Sequence, residues 1–104
     1  MNTITEIAKE TVTVSLEGSL LFVKGALTVN TLSSALKQLS KIRQASDSVS
    51  FNAMSIADSS AIVFLLACLR NQSSGKLKVF DVPDRVMRLI NLYDLSPMFN
   101  FSSS

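Results

Sequence analysis

Polar and apolar positions change period several times along the chain, and each change marks an element. Thr11-Val12-Thr13-Val14-Ser15-Leu16 alternates with period two and is rich in β-branched residues, which predicts a half-buried strand. Glu17-Gly18 is a turn signal, and Ser19-Leu20-Leu21-Phe22-Val23-Lys24 is the returning strand of a hairpin that Gly25 ends. The period then lengthens. Leu32, Ala35, Leu36, Leu39 and Ile42 recur at the spacing of one apolar helix face. Thr28 or Asn30 is suited to cap its start, and Lys41 and Arg43 suit the negative end of the helix dipole. After the polar link Ala45-Ser46-Asp47-Ser48, Val49-Ser50-Phe51-Asn52-Ala53 predicts a third strand.

A second helix is expected from about Ser60 to Asn71. Its apolar run is too continuous for one sheet-facing stripe. Ala61, Phe64, Leu65 and Cys68 share one side, Ile62, Leu66 and Leu69 a neighbouring side, and Val63 lies farther round. Ser73-Ser74-Gly75 is a turn, and Leu77-Lys78-Val79-Phe80 a short fourth strand. Pro83 fits the first turn of a third helix, whose inner face is Val86, Leu89, Ile90 and Tyr93. The predicted order is β-β-α-β-α-β-α: an α/β domain with a mixed four-stranded sheet and helices packed on it. Residues 1–10 are a lead-in, 11–101 the domain and 102–104 a frayed tail.

Composition narrows the function. The 104 residues suit one domain, with apolar residues at 47% and charged residues at 17%, which is not the composition of a disordered chain. A net charge of +2 is too slight to point to nucleic acid. Histidine is absent, which removes the commonest general base and metal ligand, and the single Cys68 excludes an internal disulfide. No Gly-rich loop is available to cradle phosphate. The expectation is therefore a cytoplasmic binding module: no catalytic residue, no metal, no cofactor. The longest apolar run, Ala61 to Leu69, falls well short of the roughly 20 residues of a spanning helix, and Met1–Glu10 lacks the apolar stretch of a leader.

Cys68 in an apolar helical run predicts an inert buried thiol. Tyr93 is expected to close the core with its ring while keeping its hydroxyl wet. Lys76 and Lys78 suit the protection of a sheet edge. Arg85 and Arg88 fit a solvated helix face, or contact with an acidic partner surface.

One segment stands out: Ser55-Ile56-Ala57-Asp58-Ser59-Ser60-Ala61-Ile62, between a strand and the most apolar helix. Asp58, Ser59 and Ser60 in succession supply cap acceptors where free N–H groups and positive partial charge favour them. The plain reading is capping. The sharper one is an exposed contact point or switch, continued by whichever of Ile62 and Val63 is exposed.

These residues resemble the strand–loop–helix signature of STAS domains, the sulfate transporter and anti-sigma factor antagonist family. Val49-Ser50-Phe51-Asn52-Ala53-Met54 followed by Asp58-Ser59-Ser60-Ala61-Ile62 is similar to the family's strand and Asp-Ser-Ser-Gly-Leu loop. Phe22-Val23-Lys24-Gly25-Ala26-Leu27-Thr28 resembles its strand and Gly-Glu-Leu-Asp turn, and Val82 to Ile90 its last helix. The likeness spans roughly residues 11–96. Ala61, Ser50, Ala26 and Thr28 depart from the family's Gly, strand Asp, and turn Glu and Asp. The run Val86 to Leu95, with its Leu92-Tyr93-Asp94-Leu95 close, is similar to the MlaB group of small STAS subunits.

The resemblance implies a STAS fold and a cytoplasmic, non-catalytic subunit, peripheral to the inner membrane through its complex. It would bind and support the ATPase of an ABC transporter for intermembrane phospholipid transport, with the membrane permease an indirect partner and no direct membrane insertion. It also implies that the hydroxyl after the loop aspartate, Ser59 here, matters for function. The alternative it carries is an anti-sigma factor antagonist phosphorylated on that serine by a partner kinase. The lost acidic and glycine positions weigh more against the alternative.

Overall fold

Two-residue turns, one tight glycine and three crossovers of the same sense build the domain. The structure, a computed structural model, describes residues 11–42, 46–70 and 76–102. Strand β1, Val12–Glu17, pairs antiparallel with β2, Leu20–Leu27. Gly18, at φ 65°, is the first of the two turn residues, where a tight hairpin needs positive φ. Helix α1, Leu32–Ser40, leads to β3, Ser48–Ala57, and α2, Ser60–Arg70, leads to β4, Leu77–Phe80. Helix α3, Asp84–Leu92, and a 3-10 turn, Ser96–Met98, lead to β5, Phe99–Ser102.

The result is an α/β domain with a mixed sheet in the order β1-β2-β3-β4-β5, parallel from β2 onward. Every parallel connection steps the same way across the sheet. Right-handed crossovers then place all three helices on one face, and α1 packs on α2 and α2 on α3. The core lies between these layers. Val14, Val23, Val49, Phe51 and Val79 come from the sheet, and Ala35, Phe64, Leu65, Cys68, Val86 and Ile90 from the helices.

The sheet has five strands rather than four. Phe99-Asn100-Phe101 alternates buried, exposed and half-buried residues and pairs parallel with β4, so Ser102 belongs to a strand and not to a tail. Lys78 therefore guards no edge, because β5 covers β4. It lies exposed on the helix-free face, paired with Ser48 and Asn100. Strand β2 does not stop at Gly25. That residue adopts φ 94° at a register shift, and a Cβ there would collide with the Thr11 carbonyl oxygen.

Strand β3 continues four residues beyond Ala53, following β2 through two register shifts and running past the end of β4. Helix α1 ends at Ser40, with Lys41 as its C-cap, and Thr31 is its N-cap residue. Pro83 precedes α3 as its N-cap. Tyr93 does not close the core: it caps α3 at its C-terminal end and is 54% exposed. Residues 1–10, Arg43, Asn71, the Ser73-Ser74-Gly75 turn and residues 103–104 lie outside the described residues.

Candidate functional site

The C-terminal ends of β2 and β3 finish side by side, with Leu27 paired to Ala57. The connections that leave them, into α1 and α2, therefore share one end of the sheet. The first is organised from within. The Thr28 N–H donates to Thr31 Oγ1 at 3.0 Å, the Thr31 hydroxyl donates to the Ala26 carbonyl at 2.7 Å, and the Asn30 N–H donates to Thr28 Oγ1 at 3.2 Å. Thr31 thus spends its side chain on the turn and not on the helix N–H groups.

Asp58 organises the second. Its Oδ1 accepts the Ser60 N–H at 2.7 Å, which caps the start of α2. Its Oδ2 accepts the Val29 N–H from the neighbouring connection at 3.3 Å, and its own N–H donates to the Leu27 carbonyl at 3.2 Å. Partial burial raises the pKa of this carboxyl. The N–H and hydroxyl of Ser60, the Val29 N–H and the Arg85 guanidinium outweigh it and hold the group below its ordinary value. Asp58 is ionised at neutral pH and committed to the fold.

The three polar residues separate into different roles. Ser60 is buried, with its hydroxyl turned to Asp58. Ser59 is exposed, and its hydroxyl makes no hydrogen bond to a described residue. Of the next apolar pair, Ile62 is 7% exposed and belongs to the core, whereas Val63 is 47% exposed. Of this pair, Val63 is the one open to a partner.

Two further apolar residues join this end of the sheet. Val29 is 75% exposed beside Asp58, and Ile56, in the last turns of β3, is 51% exposed. Sequence reasoning missed both. Val29 sits in a short link with no periodicity, and the β-branched Ile56 is one of the signals that β3 continues. The arrangement is a surface rather than a pocket: Ser59, whose hydroxyl bonds no described residue, lies between Val29, tied to Asp58, and Val63, one helical turn on, while Ile56 alternates to the other side of β3 from the core residue Ala57. A shallow groove of about 190 Å³ between α1 and α2, lined by Leu36, Leu39, Ser40, Ala67 and Arg70, includes none of these residues. Cys68 is fully buried, and burial pushes its thiol up to about 12, which leaves it without nucleophilic character.

No protein-family model matches the chain, and no curated protein matches it either. No helix among the described residues is long and apolar enough to cross a membrane.

Proposed function

We propose that this chain is a non-catalytic, STAS-type subunit that docks on the ATPase of an ABC transporter for intermembrane phospholipid transport. The surface around Ser59 is the docking face. In this reading the protein is cytoplasmic and reaches the inner membrane only through its complex. The observation that carries the reading is the division of labour at the start of α2. Asp58 and Ser60 build the loop, while the Ser59 hydroxyl bonds no described residue and lies between the exposed Val29 and Val63. Exposed β-branched residues around one hydroxyl suit a protein partner that buries them and hydrogen-bonds the serine. The similarity of the β3–α2 segment to STAS domains supports the fold family, and that of the Val86–Leu95 run to MlaB-type subunits selects which partner.

Affinity capture of the chain from native lysate, with identification of the bound proteins, tests this. The expected partner is an ATPase with a phosphate-binding loop, retained by wild type and weakened by Ser59→Ala. Recovery of a kinase that transfers phosphate from ATP to Ser59 would replace the proposal with the anti-sigma antagonist reading.

A further inference from the structure

Val29 combines two facts that do not belong together in ordinary packing. Its side chain is three-quarters exposed, yet its backbone N–H is held by a carboxylate 29 residues away in the sequence. The bonds among Ala26, Thr28, Asn30 and Thr31 shape the β2–α1 turn, and the step across to the β3–α2 connection is made by a carboxylate, that of Asp58. One of its oxygens starts α2 and the other takes the Val29 N–H. We propose that the Asp58 carboxylate is a positioning group that locks the two connections together, so that Val29 and Ser59 are presented as one rigid surface. What that surface is for rests on the docking reading above; the lock rests on geometry alone.

A simpler role would be capping of α2 and nothing more. Asparagine separates the two, because it caps a helix as well as aspartate does. Asp58→Asn has one carbonyl oxygen, which stays on the Ser60 N–H, the shorter bond at 2.7 Å. Its amide group then faces the Val29 N–H, donor against donor. The lock is lost while the cap remains. Asp58→Ala loses both. The bond from the Asp58 N–H to the Leu27 carbonyl is main-chain and serves as an internal control.

Amide hydrogen exchange by NMR, on the full chain without any partner, reads the lock directly. In Asp58→Asn, exchange at Val29 should accelerate about tenfold, as loss of a charge-assisted bond implies, with Ser60 within about twofold of wild type. In Asp58→Ala both amides should accelerate. Unchanged exchange at Val29 in Asp58→Asn, or an acceleration no larger than that at Ser60, overturns the proposal. Failure of the docking reading would leave this result untouched, since the measurement contains no partner.

Discussion

Placing an aspartate at Ile62 or at Val63, one position apart, gives opposite expected outcomes. Ile62 is the third residue of α2 and 7% exposed within the core cluster. Removing its side chain forfeits about 1.5–3 kcal/mol of burial. Placing a carboxylate there adds the cost of an unpaired polar group, and the sum reaches about 4 kcal/mol or more. A domain has only about 5–15 kcal/mol in total. At about 4–8 °C per kcal/mol, Ile62→Asp should lower Tm by about 15 °C or more, or prevent folding. Val63 is the next residue and 47% exposed. It forfeits about half of a valine's burial, at most ~1 kcal/mol. An acidic group near a helix N-terminus returns about 0.3–1 kcal/mol. Val63→Asp should therefore melt within a few degrees of wild type. Thermal denaturation followed by circular dichroism, with urea titration, measures both. Equal damage by the two substitutions, or tolerance of Ile62→Asp, would refute the assignment of one residue to the core and its neighbour to the surface.

Other substitutions test the backbone and the loop. Gly25→Ala should destabilise by more than about 1 kcal/mol in urea titration, because φ is 94° and the Thr11 carbonyl it meets is bonded to the Ala26 N–H; a neutral result would contradict the tight approach. Asp94 holds φ 56° just past α3, where the Leu95 N–H bonds the Ile90 carbonyl and the Asp94 N–H the Asn91 carbonyl. Asp94→Gly should therefore raise stability by about 0.5–1 kcal/mol, seen as a higher Tm. The depressed pKa of Asp58 makes its stabilising contribution full above the ordinary value of 3.8 and lost as pH falls through the lower folded value. The urea midpoints of wild type and Asp58→Asn should thus converge on acidification, and a constant or widening gap would contradict the charged role.

The order of elements up to α3 was legible because local periodicity and burial agree. Val12 and Val14, Leu21 and Val23, and Leu77 and Val79 alternate inward, and Ala61, Phe64, Leu65 and Cys68 all turn toward the core. What escaped was set by neighbours in space. Strand β3 extends because β2 extends beside it, through Gly25, whose sequence signal is a stop. Strand β5 carries a period-two signal in only Phe99 and Phe101, between Pro97 and a serine run. Tyr93 sits at the helical spacing of an inner face, but the turn that begins there leaves it outside. At the candidate site, the polar triplet was visible as a capping cluster. Which hydroxyl it leaves free was not, because that depends on Asp58 taking Ser60 and Val29 as its partners.

The central claim is that the surface around Ser59 meets the transporter ATPase. Hydrogen–deuterium exchange of the full chain, alone and saturated with that ATPase, tests it most directly. The account predicts new protection concentrated at Val29 and from Asp58 to Val63, abolished when Val63→Asp replaces wild type. Protection confined to α3 around Arg85 and Arg88, with the Asp58–Val63 segment unchanged, would contradict it.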